Sequence, residues 1–287
     1  MDLSSLDIFE AVAEQGSVTR AATVLGRVPS NVTSRIQQLE ADIQVSLFSR
    51  KGRKMALTEE GETFRHYAQR LRELATEARQ ALRTVRPSGR LALGTMESTA
   101  VSRLPDVLAR YRNLFPEVSL QLEMGASQDL VRDVCAGTLD CALVARPPED
   151  VTNVALTDLD LLLAEKVFSE ELLIVLPSTH QQVRSRDDLQ TSTLVALEPT
   201  CTYRRIATAW GSEAFTRTIE VSSYHAILAS VAAGESAGVM PRSVYERLQW
   251  PVEPVLHSLG WVDTLFVRRR SVPAPPVEAL GEMLLAS

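Results

Sequence analysis

Along the first sixty positions apolar residues recur three or four apart, the spacing of helices that bury one face. Leu3, Leu6, Phe9 and Ala13 make the first such set, which ends near Gly16. Ser17 is placed to cap a second helix whose small inner face is Ala21, Ala22 and Leu25. Pro29, a residue favoured in a first helical turn, opens a third helix that runs to Ile43. Val32, Ile36, Leu39 and Ile43 form its buried stripe, which leaves Ser30, Asn31, Thr33, Ser34, Arg35, Gln37 and Gln38 on the remaining surface. A basic, hairpin-like segment follows over 48–57, carrying Arg50, Lys51, Arg53 and Lys54.

Three short helices, the last rich in small polar donors, followed by a basic wing describe a winged helix-turn-helix. Ser, Thr, Asn, Gln and Arg side chains can read base edges in a major groove, while Arg and Lys on a wing neutralise phosphates. At Thr58 the pattern changes to a single long helix. Thr58 suits a cap, and Glu59 and Glu60 stand where the helix dipole favours anions. Phe64, Ala68, Leu71, Ala75, Ala78, Leu82 and Val85 then alternate in steps of four and three, a heptad seam that wants a partner helix. Pro87-Ser88-Gly89 ends it as a hinge.

Beyond Arg90 strand-like and helix-like segments alternate. Leu91 and Leu93 mark a strand; Val101, Leu104, Leu108 and Tyr111 mark one helix stopped by Pro116. Val118, Leu120, Leu122 and Met124 alternate as a half-buried strand should. Leu130, Val131 and Val134 belong to a helix that Gly137 terminates, before an apolar strand at 141–144. A second series runs through 172–176, Val195, 203–210, 219–221, 224–233 and 238–240. The alternation implies α/β lobes with mainly parallel sheets, which bind ligands at the carboxyl ends of strands beside helix N-termini.

Composition changes this picture little. Apolar residues make up 45% and charged residues 23% of 287, as in ordinary globular proteins of more than one domain. The start of the chain lacks a basic segment followed by an apolar run, and no stretch approaches membrane-span length, so a cytoplasmic, non-membrane protein is expected. The net charge of −6 is uneven: residues 1–86 carry 13 Lys and Arg against 11 Asp and Glu, the remainder 17 against 25. A near-neutral first third can still show DNA a basic face. Cys135, Cys141 and Cys201 lack metal spacing, as do His66, His180, His225 and His257, and no phosphate loop or nucleophile elbow appears. Neither an enzyme nor a cofactor is expected.

The stretch FEAVAEQGSVTRAATVLGRVPSNVTSRIQQLEADIQVSLFSR, continued by LTEEG, resembles the N-terminal signature of LysR-type regulators. Gly16-Ser17, Ala21-Ala22, Leu39-Glu40, Leu47-Phe48, Arg50 and Leu57-Thr58 with Gly61 match at family spacing. The resemblance implies a DNA-binding domain over 1–58, a dimerisation helix over 59–87, and two periplasmic-binding-protein-like, Rossmann-like lobes, 90–162 with 267–287 and 163–266. It further implies DNA contacts from Ser17, Thr19, Arg20 and Pro29 beside the third-helix residues, Arg50 and Arg53. Its partners would be double-stranded promoter DNA, a small effector, further copies in a homodimer or homotetramer, and RNA polymerase.

Four positions depart from the signature: Val28 replaces a capping Ser, Pro29 a Gln, Asn31 an Ala, and Gln44 a Gly. A left-handed Gln44 costs roughly 1 kcal/mol. By the same resemblance the effector meets Glu97, Ser98 and Thr99 in one lobe, and Thr200, Cys201, Thr202, Ser222, Ser223 and Tyr224 in the other. The run Val28-Pro29-Ser30-Asn31, with Glu97-Ser98-Thr99, resembles the branch that controls putrescine use. Glu97 is then an anionic partner for an amine, with Glu198 and Asp129 as further candidates. The alternative of a solute-binding module sits poorly with the fused helix-turn-helix.

Overall fold

In the computed structural model the chain folds as two compact units, Met1–Arg83 with Ala286–Ser287, and Thr84–Leu285. The structure describes residues 2–51, 54–81, 87–148, 151, 156–248 and 253–286. Arg53, Leu82 and Val85 lie outside the described residues.

The first unit holds α1 (Leu3–Gln15), α2 (Val18–Val24), α3 (Pro29–Ile43), the hairpin β1 (Phe48–Lys51) and β2 (Lys54–Leu57), and α4 (Glu59–Ala81). Asp2 caps α1 by accepting from Ser5 N–H at 2.7 Å, and Gly16 ends it at φ 54°. Ser17 caps α2. Leu6, Phe9, Val12, Ala22, Val32, Ile36, Leu39 and Leu47 form one core, in which Phe9 meets Phe64 edge-on at 5.0 Å. Burying each large aliphatic chain is worth roughly 1.5–3 kcal/mol.

The signature residues close a joint between elements. Glu40 Oε1 accepts the backbone N–H of Leu47 (2.7 Å) and Phe48 (3.1 Å), which ties the end of α3 to the start of β1. Thr58 Oγ1 accepts from Gly61 N–H at 2.9 Å and donates to the Ser46 carbonyl at 2.8 Å. A Cβ on Gly61 would lie 2.1 Å from the Leu47 carbonyl oxygen, so the first turn of α4 reaches that joint only without a side chain. Gln44 is left-handed, at φ 58°. Val28 stands at the N-cap of α3 with no side-chain cap bond.

The expected seam on α4 divides. Phe64 and Ala68 pack into the first unit's own core, whereas Tyr67, Leu71 and Leu74 are exposed. The exposed apolar stripe is therefore shifted from the heptad read in the sequence, because the first turns of α4 are already used as core.

The second unit is built on one eight-stranded sheet of order β4-β3-β5-β10-β6-β9-β7-β8. Its strands are β3 (Gly89–Thr95), β4 (Val118–Met124), β5 (Cys141–Arg146), β6 (Leu162–Leu176), β7 (Thr193–Ala196), β8 (Arg217–Glu220), β9 (Ala237–Pro241) and β10 (Val255–Arg269). The helices are α5 (Glu97–Ser102), α6 (Leu104–Leu114), α7 (Ser127–Ala136), α8 (Thr202–Gly211), α9 (Tyr224–Ala232), α10 (Arg242–Leu248) and α11 (Pro275–Ala286). β3 runs parallel to β4 and β5, and β7 parallel to β8 and β9, as the alternating pattern requires. Between these halves β10 pairs antiparallel with both β5 and β6, and β6 antiparallel with β9.

Two sequence expectations change here. The sheet is mixed rather than mainly parallel, because the two long strands β6 and β10 join the parallel halves. The helix expected to span Val101–Tyr111 is two helices, α5 and α6, broken at Arg103. Pro105 explains the break, since it has no N–H to offer the preceding turn and disfavours helical backbone before it. No helix among the described residues is long and apolar enough to cross a membrane.

Candidate functional site

On the first unit the exposed face of α3 is a polar row. Ser30, Asn31, Ser34, Arg35 and Gln38 line one shallow concavity, with Gln37 exposed next to it. Spacings of three and four set Asn31, Ser34 and Gln38 along a single line of the helix. Besides Ser17, which caps α2, three of the expected contact residues already have intramolecular bonds. Thr33 Oγ1 donates to the Pro29 carbonyl at 3.0 Å, Arg35 stands 3.5 Å from Asp2 Oδ2, and Arg20 Nη2 donates to the Gln15 carbonyl. Thr19 and Pro29 are exposed, and Ser17 serves as the cap of α2. The hairpin holds Arg50 opposite Met55, next to the paired Lys51 and Lys54. A donor-rich helix face and a basic hairpin suit a duplex groove and its phosphates, respectively.

In the second unit the carboxyl ends of β3 and β7, and the helix starts that follow β3 and β8, bring a polar cluster together. Glu97 opens α5 and is half-buried. Burial first of all raises its carboxyl above the usual range; the backbone N–H of Tyr224 pulls it down, Glu198 pushes it up, and His225 opposes Glu198. Ser98 lies beside the phenols of both Tyr203 and Tyr224. Its Oγ and the Tyr203 hydroxyl are nevertheless buried with no hydrogen-bond partner in good geometry. A buried polar group left unpaired costs about 1–3 kcal/mol, so two in one cluster mark a place shaped for something polar.

Of the expected ligand residues the structure unites Glu97, Ser98, Cys201 and Tyr224 in this cluster. Thr99 and Thr202 are buried, Thr200 and Ser222 are exposed, and Ser223 is occupied in capping α9 through Ala226 N–H at 3.3 Å. Asp129 pairs with Arg132 at 2.6 Å, whereas Glu198 neighbours Glu97. Burial pushes the Cys201 thiol up to about 11, so it is neither a ready nucleophile nor a ready site of oxidation.

Tyr203 and Glu170 were missed in the sequence reading. Glu170, buried in β6, accepts from Arg103 Nε (2.6 Å) and Ser243 Oγ (2.6 Å), and its charge is felt at Tyr203. The available signal was the pair Glu170-Glu171 directly before the apolar run 172–176: a carboxylate entering a buried strand needs partners, and Arg103 and Ser243 supply them.

Two family models match the chain. One described as "Bacterial regulatory helix-turn-helix protein, lysR family" covers residues 3–62, and one described as "LysR substrate binding domain" covers 85–287. The chain is 32% identical over 284 residues to the HTH-type transcriptional regulator GltR of Bacillus subtilis (strain 168), covering 96% of this chain and 93% of GltR. It is 32% identical over 278 residues to the HTH-type transcriptional regulator CzcR of Bacillus anthracis, covering 94% of this chain and 92% of CzcR. Among solved structures, a full-length OxyR variant from Pseudomonas aeruginosa aligns with a TM-score of 0.57 and 20% identity over 99% of both chains. Full-length CbnR complexed with its target DNA aligns at 0.51 and 22%, again over 99% of both. At these identities the two structures speak for the fold.

Proposed function

Because this chain belongs to the LysR family of DNA-binding transcriptional regulators, we propose that it reads promoter DNA with α3 and its wing under the control of a small amine bound at the Glu97 cluster. It is a regulator with an effector-binding domain, not an enzyme. In this reading residues 1–58 bind DNA, 59–87 pair two chains, and the lobes 90–162 with 267–287 and 163–266 enclose the effector. Its partners are then promoter DNA, further copies of the chain and, at the promoter, RNA polymerase, all in the cytoplasm.

The observation that carries the effector reading is the buried, unpartnered pair Ser98 Oγ and Tyr203 Oη beside the half-buried Glu97 and its neighbour Glu198. Two neighbouring carboxylates, Glu97 and Glu198, favour a cation, and the hydroxyls beside Glu97 offer it hydrogen bonds. A diamine such as putrescine meets both demands.

Calorimetric titration of the purified protein with putrescine tests this. Saturable binding is expected at neutral pH, weakened about ten-fold or more in Glu97→Gln. The pH dependence has a definite sign. Glu97 is a weaker acid folded than its ordinary value of about 4.3, so affinity falls as pH drops through that raised value, and the dependence disappears in Glu97→Gln. Stability runs the other way: the contribution of Glu97 is present below the ordinary value and lost as pH rises through the folded one. Glu97→Gln therefore unfolds at higher temperature than the parent at pH 7. No heat with putrescine would remove the amine and leave the DNA-binding assignment standing.

A further inference from the structure

A second cavity, of about 330 Å³, lies between the end of α5 and α10 and is floored by β6 and β10. Glu97, Ser98, Cys201, Tyr203 and Tyr224 do not line it, and only Glu170, whose charge reaches Tyr203, is shared between the two places. Three arginines do, and each commits only part of its guanidinium. Arg103 donates through Nε to Glu170 at 2.6 Å, and Arg242 through Nε to Glu171 at 2.5 Å. Arg247 reaches the Ser102 carbonyl through Nη2 at 3.4 Å and stands 3.6 Å from Asp106. A guanidinium has five N–H donors in a planar fork. The terminal nitrogens of Arg103 and Arg242 thus keep their donors free of protein acceptors among the described residues.

Two of the three carboxylates that line the cavity are already engaged, and the third, Glu246, acts on Arg242 by its charge. Glu170 accepts from Arg103 on one oxygen and from Ser243 on the other, and Glu171 accepts from Arg242. The wall thus balances three arginines against three carboxylates, and with both oxygens of Glu170 and one of Glu171 taken, the free N–H donors of the two forks are what a planar oxyanion would pair with. Trp261, 66% exposed, adds a flat apolar wall. Arg103 sits at the α5–α6 junction, in the β3–β5 half of the sheet, while Arg242 opens α10, in the β7–β9 half.

We infer that this cavity is a second ligand site, which takes a small organic dicarboxylate with one carboxylate on the Arg103 fork and the other on Arg242. Such a ligand ties the two halves of the unit together across β6. It also bears on the Glu97 cluster through α5, whose first residues belong to that cluster and whose last residue, Ser102, lines this cavity and donates to the Ser98 carbonyl at 2.8 Å. The inference does not depend on the amine reading.

Calorimetric titration of the full chain with succinate, compared with acetate, tests it. Succinate is expected to saturate with a Kd below about 1 mM and acetate to bind at least about ten-fold more weakly. Arg242→Gln and the charge-preserving Arg242→Lys both weaken succinate by about ten-fold in protein that circular dichroism shows to be folded, because each loses the planar fork. Ser98→Ala, in the other cluster, leaves succinate within about two-fold and lowers the affinity for putrescine. The site is refuted if succinate gives no saturable heat up to about 10 mM. It is equally refuted if succinate binding survives both Arg242 variants and is lost in Ser98→Ala, which would put the anion in the Glu97 cluster.

Discussion

Single residues in this chain carry constraints that their neighbours cannot share. Gly61 is required by distance: any side chain meets the Leu47 carbonyl, a backbone atom that Glu40 and Thr58 hold in place through its neighbours. Gly61→Ala should therefore lower stability to urea unfolding by about 1–3 kcal/mol through overpacking, with DNA affinity falling in parallel as the wing loses its anchor. A loss under about 0.5 kcal/mol would show that the α4 start can slide. Gln44 is the opposite case, since it holds a left-handed φ of 58° while carrying a side chain. At this scale the sequence was legible wherever a motif had a mechanical cause, as with Gly16, Ser17 and Thr58. It was silent where a residue depends on partners distant in the chain: Glu170 finds Arg103 67 positions before it and Ser243 73 after it.

The elements divide in the same way. Short amphipathic helices and the wing could be read from period alone, because each buries one stripe against its immediate neighbours. β6 and β10 could not: β6 mixes Glu165, Lys166, Glu170 and Glu171 with apolar residues before its buried end, and its pairing with β10 spans most of the second unit. The proposed reading by the polar face of α3 and by the hairpin yields separable expectations about DNA. Asn31→Ala should cost about 1–3 kcal/mol on a cognate sequence and little on random DNA. Arg50→Ala should weaken both alike and reduce the slope of log affinity against log salt by about one. Anisotropy titrations at several salt concentrations separate the two outcomes; equal behaviour of both variants would mean that α3 touches only backbone.

For the molecule as a whole, the exposed Tyr67, Leu71 and Leu74 stripe on α4 is the apolar surface that a second copy would cover. Leu71→Asp with Leu74→Asp should shift the sedimenting species from dimer or larger toward monomer and reduce DNA affinity by about a hundred-fold, since one half-site alone then carries the binding. An unchanged oligomer would move the interface to the second unit.

The crossing of the sheet by β6 and β10 has a further consequence, for the order in which the chain can fold as it is made. β5 has β3 on one side, but its other neighbour, β10, leaves the ribosome roughly 120 residues later, on the order of ten seconds at typical elongation rates. Until then the β3–β5 half offers an unpaired strand of fully buried character, Cys141–Ala145, to whatever meets it. A message cut short after α10 would thus yield not half a working domain but a sticky edge. Strand β10 acts as the stitch that closes the first half of the sheet, and until it has been made that half is not safe from aggregation.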